Sequence, residues 1–174
     1  MIPPPPAWRQ IPEWRTAVPP WQDCGTPTPW WWWVGVHGGA GVTTLTRAFP
    51  AISGDARRML PAGPQFGQSP FVVAVARTHI EGLQHAQDLA RQHASGMVPR
   101  GMQLVGLVTV ADAPGRLPPP VRKFHKLVAG AFERVWEIPW IDQWRLSSPD
   151  PRAPLHPAVT AMASELATVV GLPH

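Results

Sequence analysis

Charge is scarce in this chain: Asp, Glu, Lys and Arg make up 15% of it, against 44% apolar residues. That balance excludes a disordered or rod-like coiled protein and leaves a globular one. Cysteine is nearly absent. Cys24 stands alone, so neither an intrachain disulfide nor a cysteine metal site can form. Seven histidines are scattered without an HxxxH pair or a neighbouring carboxylate motif, so no metal site is expected. No apolar run approaches the roughly 18 residues of a membrane span. No charged-then-apolar leader opens the sequence either, and a cytoplasmic protein without a membrane span is the expectation.

What is present is size, proline and tryptophan. A length of 174 residues suits one domain with a real core, plus tails. The 24 prolines crowd into the first 29 residues, Pro118 to Pro120, and Pro149 to Pro157, where they punctuate the chain between elements. The formal charge of +4 comes from 13 arginines and 2 lysines against 11 acids, spread along the sequence. That is a mild bias and not the signature of a polyanion-binding protein. Arg116, Arg122, Lys123 and Lys126 form the densest basic group; a solvated helix surface accounts for it, with Arg122 and Lys126 sharing a face.

Residues 1–29 hold nine prolines and the spaced indoles of Trp8, Trp14 and Trp21. Proline removes donors and fixes φ, so this segment reads either as an arm packed on the domain with its indoles buried, the favoured reading, or as a loose tail that docks on a partner. Residues 30–174 read as a single α/β domain. Trp30 to Val36, Phe71 to Ala76, Leu104 to Val110 and Arg134 to Ile138 are apolar runs of strand length. Helices are expected over Val42 to Ala48 and residues 79–94, then around Val121, Phe124, Leu127 and Val128, and from Val159 to Val170. Ala51 to Pro70 reads as loop, with a brief strand or turn near Arg57 to Leu60, and Pro139 to Pro154 as an irregular connection. Strands alternating with helices imply a three-layer α/β sandwich around a mostly parallel sheet of four to five strands. Ligands then bind at the carboxyl ends of the strands.

The first strand runs into "VHGGAGVTTL". Successive backbone amides at a glycine turn that opens a helix form a phosphate cradle, and Gly38, Gly39 and Gly41 supply such a path. In the full motif GxxxxGK[ST] a lysine reaches the phosphates and a hydroxyl holds magnesium. Aligned on Gly41, the hydroxyl is Thr43 and Val42 stands at the lysine position. The candidate binding residues are His37, Gly38, Gly39, Ala40, Gly41, Val42, Thr43 and Thr44, with Arg77, just past the second strand, reading as an anion partner as readily as an exposed loop arginine. No catalytic residue is assigned. His37, at a helix N-terminus, reads as a neutral hydrogen-bonding group. Asp112 and Asp142 read as turn or helix caps as readily as ligand contacts.

"HGGAGVTTL" resembles the "KGGVGKTT" loop of the MinD/ParA deviant Walker A ATPases, with His37 at that family's signature lysine and Val42 at its catalytic one. "FVVAVARTHIEGLQHAQDLA", "LVGLVTVADAP" and "VWEIPWID" resemble its later strands and turns, in the same order, over residues 31–146. The chain also resembles an actinobacterial family of unknown biochemical role that carries this valine-containing loop. The resemblance implies a reduced P-loop NTPase fold, and ATP or GTP with magnesium on Thr43 if the loop still binds. The departures imply lost hydrolysis. Two strands ending in aspartates precede "VVAVA" in the family, whereas here only the loop from Pro50 to Pro70 is available. Asp55 is its sole acid, with no apolar run before it.

Four functions compete. A degenerate P-loop protein would serve as a non-catalytic binding or scaffold component, with Trp8, Trp14, Trp21, Trp136, Trp140 and Trp144 as contact surface for a protein partner. A nucleotide- or phosphate-binding protein would keep the cradle with weak or no ATPase activity. An unrelated enzyme would need a nucleophile elbow, a histidine–carboxylate pair or a cysteine–histidine signature, and none shows in the sequence. A nucleic-acid, partition or conjugation adaptor rests on the net charge and the resemblance.

Overall fold

The computed structural model describes residues 1–14 and 28–173, without the side chain of Gln65; Trp21 and Cys24 lie outside the described residues. Five strands form one parallel sheet in the order β2-β1-β3-β4-β5: β1 Trp31–Gly35, β2 Ser53–Asp55, β3 Phe71–Arg77, β4 Gln103–Val110 and β5 Val135–Ile138. Helices α1 Val42–Ala48 and α5 Pro157–Val170 cover one face, and α2 Ile80–Ala94 and α3 Pro119–Ala129 the other. This is the three-layer sandwich that alternating strands and helices imply. No helix among the described residues is long and apolar enough to cross a membrane.

Strand β1 explains the four-tryptophan run. Its side chains alternate, so Trp31 and Trp33 enter the core under α1 and α5 while Trp32 and Val34 enter the core under α2. Trp31 and Trp33 meet edge to face with ring centroids 5.7 Å apart. Both faces of β1 are covered, as a continuous apolar run requires. Trp30, at its edge, remains partly exposed.

Strand β2 corrects the reading of residues 51–70. A strand lies at Ser53–Asp55, in what reads from the sequence as loop, while the stretch near Arg57 to Leu60, where the sequence suggests a brief strand or turn, holds a turn at Arg57 and Arg58 and an isolated bridge between Leu60 and Glu13. Strand β2 carries no apolar side chain of its own. A Cβ on Gly54 would lie 2.4 Å from the Trp32 ring and 2.9 Å from Pro29, so that glycine lets the edge strand close onto an indole supplied by its neighbour. The connection from Pro139 to Pro154 also contains one short helical turn, α4 Gln143–Leu146.

The arm corrects a second expectation. Residues 1–14 do lie on the domain, but only one of the two described indoles is buried. Trp14 packs edge to face on Trp32 at 5.0 Å, and Trp8 is 81% exposed beneath the guanidinium of Arg9. Arg9 pairs with buried Asp88 at 3.2 Å. The Gln92 side chain accepts from the Ile11 amide at 2.9 Å and donates to the carbonyls of Ile11 at 3.0 Å and Met97 at 2.9 Å. Proline spaces the arm, and the buried side-chain amide of Gln92 on α2 satisfies both backbone groups of Ile11. Gln92→Ala strands these and the Met97 carbonyl, three groups in all, and should cost about 3 kcal/mol or more, since each buried unsatisfied group costs about 1–3. Urea unfolding checks this against Gln87→Ala on the same helix, which should cost under about 1 kcal/mol.

Candidate functional site

The strand order reverses between β1 and β3, so α1 leaves β1 toward one face and α2 leaves β3 toward the other. Between the two departing loops lies the crevice where parallel sheets bind ligands. All nine candidate residues, His37 to Thr44 and Arg77, line one open cavity of about 630 Å³ there. Gly39 and Gly41 hold φ of 74° and 109°, the left-handed conformation that lets the loop turn into α1. The first-turn amides of α1, those of Val42, Thr43 and Thr44, have no partner within the helix.

The side chains of the loop divide sharply. Val42 and Ala40 are buried in the core beneath the loop, and Val42 packs toward Gly35. Thr43 is exposed, and its Oγ1 donates to Asp55 Oδ2 at 3.1 Å. Asp55 also accepts from the Arg57 amide at 2.7 Å through Oδ1, while the Gly35 amide donates to the Arg57 carbonyl at 2.6 Å. Strand β2 thus brings an acid to the loop that the sequence left in a coil, together with Arg57 and Arg58 on the cavity wall. Arg57 is the one described non-glycine residue at positive φ, 53°. Such a conformation costs about 1–3 kcal/mol. Turn residues around an acid were the only signal for this corner, because its strand has no apolar run.

His37 is a latch between the loops. Its Nδ1 sits 2.8 Å from the Gly38 carbonyl, which can only accept, and its Nε2 accepts from the Arg77 amide at 3.0 Å. The two contacts fix one neutral tautomer. Burial pushes the imidazole below its ordinary range; the Gly38 bond opposes this, and His79, His85 and Arg58 push the same way as burial. A Cβ on Gly82 would stand 2.8 Å from His37 Nε2, so α2 can begin this close only with glycine there. His37, His79 and His85 lie near one another, with centroids 4.9 and 6.4 Å from His37, yet no described group of three such ligands is arranged to hold a metal.

Arg77 is a clasp as well as a charge. It donates from Nε to the Gly39 carbonyl at 3.3 Å and from Nη1 to the Ala111 carbonyl at 2.9 Å, joining the loop to the end of β4. Burial lowers its pKa, Asp112 raises it and Arg145 lowers it. Asp112 donates its amide to Thr78 Oγ1 at 3.1 Å, and Asp142 accepts from Trp140 Nε1 at 2.7 Å and makes no side-chain cap. Two of the tryptophans expected as contact surface, Trp14 and Trp136, are instead buried, and Trp136 donates to Glu165 at 2.9 Å. A histidine–carboxylate contact that no sequence motif announced joins His125 and Glu137 at 3.9 Å across α3 and β5.

Residues 29–160 match DUF6668, a family of unknown function, and the chain belongs to that family. No curated protein and no solved structure matches the chain. The family match begins at residue 29, so the arm lies outside it.

The latch has a pH signature. The folded pKa of His37 is below the unfolded value of about 6.5, so the unfolded chain binds more protons between the two. Stability from this group is full above about pH 6.5 and is lost as pH falls through the folded pKa. Melting temperature should therefore drop on acidification from neutral pH, and His37→Asn should flatten the drop. A residual slope from His93, lowered by burial alone, should persist.

Proposed function

We propose that this chain is a degenerate P-loop protein that holds the phosphates of a nucleotide in the loop His37–Thr44, hydrolyses it inefficiently or not at all, and serves as a non-catalytic binding or scaffold component for a protein partner in the cytoplasm. The observation that carries the reading is the convergence on one cavity of the left-handed glycines, the Thr43–Asp55 pair and three arginines, Arg57, Arg58 and Arg77. Arginine forks match phosphate oxygens and stand in for the amine that Val42 lacks. Thr43 and Asp55 are the residues that fit magnesium of a bound nucleotide, a hydroxyl with a carboxylate beside it. The likeness of "HGGAGVTTL" to a deviant Walker A loop supports the same reading.

Turnover is a different demand. Phosphoryl transfer needs charges aimed where negative charge develops and a group that positions the attacking water. Val42 points into the core, Asp55 is the one carboxylate lining the cavity among the described residues, and Arg77 is tied to two carbonyls. Binding without this differential stabilisation gives occupancy and little rate.

Calorimetric titration of ATP, GTP and their diphosphates, with and without magnesium, tests the reading. A Kd between about 10 μM and 1 mM is expected for at least one of them. Thr43→Ala should remove the magnesium dependence. Val42→Lys should raise affinity by about tenfold while lowering stability by about 1–3 kcal/mol, because an amine then displaces a buried methyl pair. Binding weaker than millimolar for all four nucleotides leaves the scaffold role alone, with the loop as a relic. Brisk triphosphate consumption would sink the non-catalytic reading.

A further inference from the structure

A second cavity lies at the carboxyl ends of β4 and β5, of about 920 Å³, and shares no lining residue with the glycine-loop cavity. Arg116, Arg122 and Lys126 all line it. Among the described residues, none of the three is ion-paired with a carboxylate. Helix α3, PPVRKFHKLVA, carries both lysines of the chain and no acid. Arg122 and Lys126, one turn apart, repel each other with no acid on their own helix, and Glu137 and Asp142 are the acids on the lining of the groove. A merely solvated helix face would ordinarily intersperse acids; with three cations against two carboxylates on its lining, the groove keeps a positive excess that an arriving anion offsets.

The floor of the groove is built. The β4–β5 register sets Thr109 beside Glu137, and His125 comes down from α3 over them. Thr109 Oγ1 and His125 Nε2 are 3.2 Å apart, both residues being buried, and Glu137 stands exposed beyond them. Leu117, Ile138 and Trp140 supply apolar wall. Small-molecule sites have about this volume, about 300–1,000 Å³, with apolar walls and a few placed polar groups. A cleft with low-dielectric walls and one dominant sign of charge concentrates ligands of the other sign.

We propose that this groove is a second ligand site, for a small molecule carrying a carboxylate or phosphate on an apolar body. Arg116, Arg122 and Lys126 hold the anion, and the body lies against Leu117, Ile138 and Trp140. His125, on the floor, is the built-in reporter, since its ring environment changes when the groove fills.

The test follows the histidine ring resonances of the full chain by NMR, with His125 assigned through His125→Gln. Phenyl phosphate, benzoate and neutral benzyl alcohol are titrated at constant ionic strength. Saturable movement of the His125 resonance is expected with an anion and not with the alcohol; whether phenyl phosphate or benzoate binds more tightly identifies the headgroup. Arg122→Glu with Lys126→Glu, both at exposed positions, should weaken the response at least about tenfold. Thr43→Ala should leave it unchanged, so failure of the glycine-loop reading and failure of this one are separable. An unmoved His125 resonance up to about 20 mM of either anion, an equal response to benzyl alcohol, or undiminished affinity in a double variant of unchanged melting temperature overturns the proposal.

Discussion

Three consecutive indoles, Trp31, Trp32 and Trp33, have to be kept from water on two opposite faces at once, and a central strand between two helical layers is the structure that does so. Burial of each large side chain stabilises by about 1.5–3 kcal/mol. Their Nε1 groups are buried without a hydrogen-bond partner among the described residues, which gives back about 1–3 kcal/mol for each. The net value of the run therefore lies less in stability than in position. Trp32 also seats the edge strand through Gly54 and the arm through Trp14. With the Gly35 amide bound to Arg57 and the Val36 amide to Val75, the end of β1 is stitched to both neighbours before the glycine loop begins. The loop starts from a fixed point.

Where a movable amine would be needed for chemistry, this loop has groups committed to holding its shape. His37 is neutral and uses both ring nitrogens on backbone, and Arg77 spends donors on the carbonyls of Gly39 and Ala111. The Arg77 contacts with His37 and Gly39 tie the glycine loop to the end of β3, and its bond to Ala111 ties that end to β4. The crevice is thereby pre-organised, which reduces the ordering cost of binding a ligand. The same commitments leave little to respond to charge that develops during a reaction.

The sequence disclosed those elements whose burial is written in their own residues. Apolar runs marked β1, β3, β4 and β5, and residues three and four apart marked the long helices, because each carries its contact face in its own pattern. Strand β2 was illegible for the converse reason: Ser53, Gly54 and Asp55 contribute no apolar side chain, and the Trp32 ring does the covering. The loop residues were legible because glycine conformations are local. Asp55 and Arg58 were not, since their approach to the loop depends on β2 pairing with β1. Trp8 and Trp14 show a further limit, as nothing six residues apart in a proline-rich arm distinguishes the indole that finds Trp32 from the one left in water.

Charge distribution shows most clearly what folding adds. Along the chain the basic residues look dispersed, and a net charge of +4 is modest for its size. In three dimensions Arg57, Arg58, Arg77, Arg116, Arg122, Lys126 and Arg145 all line cavities at the carboxyl edge of the sheet, where the lining acids are Asp55, Glu137 and Asp142. Seven cations against three carboxylates leave the described cavity linings with a positive excess, part of which Asp112, just past β4 and near Arg77, offsets. A parallel sheet delivers every strand's exit loop to one edge, so residues distant in sequence become one electropositive rim. Clefts walled by apolar side chains strengthen that field relative to a flat surface. The fold therefore converts a weak compositional bias into a directed one, and it does so at the edge where glycines, hydroxyls and an exposed carboxylate already lie.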